Sequence, residues 1–154
     1  MKAILQRVAS ASVICNPDPE TEPGRPRSIG PGLLILASVE VDDTPADRDW
    51  LAEKVVNLRI FSDEAGKMNK SVLDRGGEIL LISNFTVSGD ARKGRRPSFD
   101  RAMRPPQAKE EFDALARAVA GFGVPVRTGV FAADMQVSLI NDGPVTIWLD
   151  SKAR

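Results

Sequence analysis

The sequence predicts an α+β fold, a curved and mainly antiparallel β-sheet carrying two main helices. Three observations carry that expectation. Only two segments, 44–57 and 105–121, show helical start signals followed by helical spacing. About six shorter runs have the composition and alternation of strands. The strands come in clusters and do not alternate strictly with helices, which argues against a doubly wound parallel sheet. Residues 1–154 are read as one domain. A chain of this size buries roughly 68–70% of its unfolded surface, so it needs no covalent or metal staple.

Residues 2–15, KAILQRVASASVIC, read as a strand with Ile4, Val8 and Ile14 at even spacing. The small residues at 9–12 point to close approach by a neighbour. Segment 16–28 contains Pro17, Pro19, Pro23 and Pro26. Proline fixes φ and has no N–H, so this segment is neither helix nor central strand and reads as an exposed, mobile hairpin loop. Residues 29–32 launch the apolar run 33–41, the pattern of a central strand covered on both faces. Thr44 is an N-cap, Pro45 fits the first helical position, and Asp47 favours the positive end of the helix dipole. Trp50, Leu51, Val55 and Leu58 follow at helical spacing, and the helix ends near Asn57. Residues 59–61 read as a short strand and 62–67 as a turn.

Gly76 and Gly77 open a second buried run, 78–83. Pro105 and Pro106 start the second helix, whose apolar face is Ala108, Phe112, Leu115 and Val119 and which Gly121 and Gly123 stop. Residues 124–129 lead to FAADMQVSLINDGPVTIWL, 131–149. Met135, Val137 and Leu139 alternate with Gln136 and Ser138; Val145, Ile147 and Leu149 alternate with Thr146 and Trp148. These are two half-buried strands meeting at a tight corner over 141–144. Asp142 followed by Gly143 is a hairpin signal, and Pro144, without an N–H, is expected to begin a strand and not to sit within one. A Gly-Pro peptide is also where the cis form is most accessible. The corner is either a sturdy loop or a rigid working part.

Composition excludes several chemistries. The 21 basic and 21 acidic residues balance, so nothing global argues for nucleic acid. Cys15 is the only cysteine, which excludes an internal disulfide and a multi-cysteine metal site; it reads as a core residue. There is no histidine and no tyrosine. Ser-His-Asp and Cys-His catalysis within one chain are therefore impossible, as are the usual histidine zinc sites. No stretch approaches the ~20 apolar residues that span a bilayer, and the opening apolar run is too short for a signal peptide. A cytoplasmic protein is the expectation.

Three segments could carry chemistry. Ser83, Asn84, Phe85 and Thr86 end a buried strand, where hydroxyls and free N–H groups collect; they could stabilise an oxyanion or merely satisfy the strand end. Arg92, Lys93, Arg95 and Arg96 surround Gly94, a pattern that binds phosphate or forms a solvated basic loop. The third segment is the Gly143-Pro144 corner.

In their order and spacing the blocks MKAILQRVASASV, IGPGLLILASVE, KVVNLRIFSDEAGKMNKSV, RKGRRPSF and FAADMQVSLINDGPVT resemble the D-aminoacyl-tRNA deacylase (D-tyrosyl-tRNA(Tyr) deacylase) family over nearly the whole chain. NDGPVT together with RKGRRPSF is the specific signal. The resemblance implies a barrel-like core and a homodimer with active sites at the subunit interface. It implies hydrolysis of the ester between a D-amino acid and the 3′ end of tRNA, and of glycine mischarged on tRNA, with rejection of the L form. It places catalytic roles on Ser83, Asn84, Phe85 and Thr86. It makes Gly143-Pro144 a cis peptide that enters the partner's pocket and reads chirality. Phe131 and Met135 are expected to line that pocket, and Arg92, Lys93, Arg95 and Arg96 to contact tRNA. Neither metal nor cofactor is implied, and neither DNA nor a membrane is a partner.

The chemistry is compatible with a chain that lacks histidine. An aminoacyl ester is already activated, the neighbouring 2′-hydroxyl can assist water, and the protein then supplies position and electrostatics. Thr86 has no base beside it in sequence and is read as positioning the reaction. Two departures from the family stand out. Asn84 replaces the usual glutamine, one methylene shorter, and loop 16–28 is longer than the usual tight hairpin. The alternatives are a catalytically weakened RNA-binding homodimer and a generic small-molecule esterase.

Overall fold

A computed structural model describes every residue, Met1–Arg154. Strand β1 (Lys2–Asn16) is the spine of a six-stranded sheet in the order β2-β1-β3-β6-β7, with β8 also paired to β1. Its partners β2 (Arg27–Ile29), β3 (Gly32–Ser38) and β8 (Asp134–Asp150) are all antiparallel to it. Strands β6 (Glu78–Ser83) and β7 (Val126–Thr128) extend the sheet in parallel beyond β3. The sheet is mixed but mainly antiparallel, and it curls into a nearly closed, barrel-like form.

Alternation along β3 and β6 divides the core. Leu33, Ile35, Ile79 and Leu81 point one way, onto helices α1 (Pro45–Asn57) and α3 (Gln107–Ala120). Leu34, Leu80 and Ile82 point the other way, into a smaller cluster with Val8, Val13 and Cys15. Both faces of these central strands are thus covered, which is why they read as continuous apolar runs. Helix α1 starts as expected, with the Asp47 carboxylate accepting the Thr44 N–H at 3.0 Å and its hydroxyl at 2.7 Å. Loop 16–28 is a hairpin whose neck is closed by Arg27, which donates to both Asp18 oxygens at 2.6 and 2.9 Å.

Two expectations are corrected, the short strand and the corner, and two features are added, the buried face of β1 and a short third helix. The buried face of β1 runs through Ala3, Leu5 and Arg7, then Ala11, Val13 and Cys15, so Ile4 and Ile14 lie on the half-buried face. The short strand at 59–61 sits later, as β4 (Phe61–Ser62), paired to β5 (Met68–Lys70). A third helix, α2 (Val72–Arg75), is present; its four residues are too few to show periodicity, and its mark is the capping box of Ser71 and Asp74. Most important, 141–144 is not a hairpin between two strands. β8 runs on through Pro144 as one strand: Gln136–Asn141 pairs with the outer half of β1 and Thr146–Asp150 with the inner half. The register shifts between Gln6 and Val8, whose partners are Thr146 and Asn141, so residues 142–145 are squeezed out as a bulge, a place in a sheet that accepts proline.

Candidate active-site cleft

A cleft of about 1050 Å³ opens along the inner face of the sheet. Its floor is apolar, from Leu34, Leu36, Ile82, Met135 and Val137. One end is closed by Ser83, Asn84 and Phe85, where β6 passes into a single 3-10 turn, Phe85–Ser88. Ser98, Phe99 and Met103 form a wall, and Phe131 stands at the start of the segment leading to β8. Gly129 leaves room for this arrangement: a Cβ there would lie 2.5 Å from the Met135 sulfur and 3.2 Å from Ile82 Cδ1.

The 3-10 turn is set by Asn84. Its Oδ1 accepts the Thr86 N–H at 3.1 Å and the Thr86 hydroxyl at 2.6 Å, capping the turn. Beneath it, the Ser88 hydroxyl donates to Ser38 at 2.8 Å. The opening N–H of a helical turn has no partner inside it, so the Phe85 N–H is a donor at the cleft end, suited to a developing oxyanion. Thr86 is exposed and does not line the cleft, and its proton is held by an amide oxygen, which is no base. That geometry does not make a nucleophile.

The bulge at 142–145 is held quite differently. Arg7, at an inward-facing position and 8% exposed, donates from Nε to the Asp142 carbonyl at 3.0 Å and from Nη1 to the Ile60 carbonyl at 2.5 Å. Its Nε also lies 3.2 Å from the Asp142 carboxylate. The Asn141 amide donates to the carbonyls of Arg7 at 2.9 Å and Val145 at 3.0 Å, stapling both sides of the bulge to β1. Gly143-Pro144 is a cis peptide, and Gly143 has φ of 138°. A Cβ at Gly143 would meet Val145 N and Cγ2 at 2.8 Å and Arg7 Nη2 at 3.1 Å.

The structure therefore brings some expected residues together and separates others. Ser83, Asn84, Phe85, Phe131, Met135 and Arg96 share the cleft. Gly143 and Pro144 are exposed and lie outside the cleft of their own chain. Of the basic loop, Arg92 turns back to Asp90 in a bidentate pair, at 2.5 to 3.1 Å, while Lys93 and Arg95 project into solvent. No group of three or more cysteine and acidic side chains is placed to hold a metal ion.

A profile of the D-Tyr-tRNA(Tyr) deacylase family matches residues 4–150, from within β1 to the end of β8. The chain belongs to the D-Tyr-tRNA(Tyr) deacylase family. It is 52% identical to the D-aminoacyl-tRNA deacylase of Thermomicrobium roseum, over 98% of this chain and 94% of that one. It is 49% identical to that of Geobacter sulfurreducens, over 100% of this chain and 97% of that one. Among solved structures, it superposes on the c-Myc DNA unwinding element binding protein with a TM-score of 0.88 at 38% identity, covering 97% and 98% of the two chains. A probable eukaryotic D-amino acid tRNA deacylase shares the fold, with a TM-score of 0.77 at 15% identity over 96% and 97% of the chains.

Sequence reasoning missed Arg7, Phe99 and Arg104 in this deacylase-family site, and it named Asn141 only as part of the corner, without its stapling role. A signal for Arg7 was present: a charge spaced two and four residues from Leu5 and Ala3 falls on their buried face. Phe99 and Arg104 carry no local pattern, because the 98–104 wall is irregular chain.

Proposed function

We propose that the protein hydrolyses the ester joining a D-amino acid to the 3′ end of tRNA, and that it clears glycine mischarged on tRNA by the same route. The observation that carries this reading is the cleft end itself. In a chain of this family, a strand end supplies a free N–H and fixed hydroxyls beside an apolar pocket, with no side-chain base. Such a site suits a substrate that is already activated and that brings its own 2′-hydroxyl. The Phe85 N–H stabilises the oxyanion, Asn84 and Thr86 fix the turn that presents it, and Met135 and Phe131 shape the amino-acid pocket. Thr86 positions and does not attack.

Chirality is assigned to Gly143 and Pro144 of a second copy. In this reading the bulge projects from an exposed β8 face bearing Ile140 and Trp148, 63% and 56% exposed, so a homodimer covers that apolar face and inserts the bulge into the neighbouring cleft. Backbone atoms pinned by Arg7 and Asn141 cannot yield to an L side chain. Because they read only the Cα substituents, side-chain identity of the D residue matters little. Lys93, Arg95 and Arg96 favour the RNA backbone by charge. The protein acts in the cytoplasm, without DNA or a membrane.

One assay tests the reading. Purified protein is incubated with D- and L-aminoacyl-tRNA carrying the same amino acid, and ester loss is followed. Loss of the D ester alone, and of glycyl-tRNA, is the expected result. Binding of tRNA without loss of either ester would instead establish a catalytically weakened RNA-binding dimer, the alternative raised by Asn84. Equal cleavage of free amino-acid esters would establish a generic esterase.

A further inference from the structure

The cations around the cleft divide by whether a carboxylate holds them. Arg92 is bound to Asp90 at 2.5 Å, Arg101 to Glu40 at 3.3 Å and Asp42 at 3.4 Å, and Lys109 to Asp113 at 2.6 Å. None of these three lines the cleft. The two arginines that do, Arg96 and Arg104, have no carboxylate within 4.0 Å and are exposed. Asp100 lines the same cleft, but its carboxylate accepts the Ser98 hydroxyl at 2.6 Å and pairs with neither. In a chain of zero net charge, two unpaired guanidinium groups on one cleft are a site for an anion. Arg104 also lies three residues before α3, a 14-residue helix whose positive end adds to the same potential.

A second feature narrows the anion. Phe85 is 57% exposed and packs edge-on against Phe99 at 5.1 Å, leaving an aromatic face in the cleft beside the strand end. An aromatic face next to unpaired cations is the layout that holds a terminal nucleotide of single-stranded nucleic acid, with the base stacked and the backbone paired. We infer that Arg96 and Arg104 form a clamp for the phosphodiester on the 5′ side of the substrate's terminal adenosine. This rests on the reading that the cleft takes the aminoacylated end of an RNA. Arg104 thus joins Arg96 on the substrate, while Arg92, held by Asp90 outside the cleft, does not make this contact.

The test uses three substrates bearing the same D-amino acid: the tRNA ester, the cytidylyl-adenosine dinucleotide ester with one phosphodiester, and the adenosine ester with none. For Arg104→Ala, and for Arg96→Ala with Arg104→Ala, the ratio of kcat/KM on the dinucleotide to that on the adenosine ester falls about tenfold or more, through KM. The salt dependence on tRNA flattens by about 0.7 in log–log slope for one lost phosphate contact. Arg104→Lys restores part of the loss. An unchanged ratio overturns the proposal, as does a loss confined to tRNA, which would place the arginines on a more distant phosphate. Failure of the unaltered protein to hydrolyse any of the three overturns the deacylase reading itself and the clamp with it.

Discussion

The turn at 83–88 and the bulge at 141–145 carry the proposed chemistry in two unlike ways. The turn is held by local polar contacts: Asn84 caps its start, the Asn84 N–H donates to the Ala37 carbonyl at 2.8 Å, and Ser88 anchors its far end to Ser38, while Phe85 and Thr86 between them are exposed. The bulge is fixed from several directions, by Arg7 from β1, by the Ile60 carbonyl behind Arg7, and by Asn141 across both flanks. A turn whose middle residues are exposed and held only by a local cap can adjust as charge develops on a substrate oxygen. A bulge held by four contacts cannot, and a backbone that must refuse the wrong enantiomer needs that rigidity. Weak shape preference gains only ~1–3 kcal/mol per methylene in a pocket, too little where the L form is in vast excess.

The contrast orders the expected effects of mutation. Arg7→Ala should be the most damaging, because it leaves the buried Ile60 carbonyl and the part-buried Asp142 carbonyl without their donor; a loss of about 3 kcal/mol in urea unfolding is expected, with D/L selectivity collapsing. A stable variant of full selectivity would show that Arg7 does not hold the bulge. Gly143→Ala comes next, since a φ of 138° and the Val145 backbone at 2.8 Å both oppose a side chain. It should cost about 1–3 kcal/mol and lower D-ester hydrolysis far more than it lowers tRNA binding. Asn84→Ala should cost only about 1 kcal/mol, the loss of one cap. Its kcat should drop about tenfold with KM little changed. Equal losses from Asn84→Ala and Arg7→Ala would erase the distinction drawn between the two segments.

The smallest effect concerns pH. The titratable side chains lining the cleft are Arg96, Asp100 and Arg104, and the chain has no histidine. With no imidazole to titrate, the kcat/KM profile on an N-acetylated D-aminoacyl-tRNA, whose amine carries no titrating proton, should show no histidine-like inflection between about pH 6 and 8. Stability should change only in acid. The Arg27 guanidinium holds the Asp18 carboxyl well below the usual range; burial pushes Asp47 up, but hydrogen bonds from Lys152 and Thr44 outweigh it and hold it low. Both are charged in the native state where the unfolded chain would be protonated, so their stabilisation is full above about pH 4 and is lost as pH falls further. Burial raises the Asp43 carboxyl, which offsets part of this effect. Thermal unfolding from pH 3 to 8 checks the sign.

The parts of the fold with strong local signals were legible. The apolar runs of β3 and β6, the Thr44 and Pro45 helix start and the apolar face of α3 all follow from spacing and capping. The corner at 141–144 was found but misread, because Asp-Gly signals a hairpin and a bulge alike. What decides between them is pairing with β1, far away in sequence. The cleft was legible at Ser83, Asn84 and Phe85, which end a buried strand. Its opposite wall, with Phe99 and Arg104, was not, since irregular chain is placed by tertiary contacts such as Met103 N–H to the Val39 carbonyl at 2.9 Å. That Gly143 and Pro144 lie outside their own cleft was legible only through the family resemblance, which sends them to a partner's pocket, and it makes the second copy central to the account.

Subunit complementation tests that point most directly. A Gly143→Ala variant and a cleft-filling Ala133→Trp variant, each inactive on D-aminoacyl-tRNA alone, are unfolded together, refolded and assayed. If the bulge of one subunit completes the cleft of the other, each mixed dimer has one intact site, and a 1:1 mixture recovers about a quarter of the unaltered activity. No recovery, with mixed dimers demonstrably formed, would mean that each chain reads chirality within its own cleft.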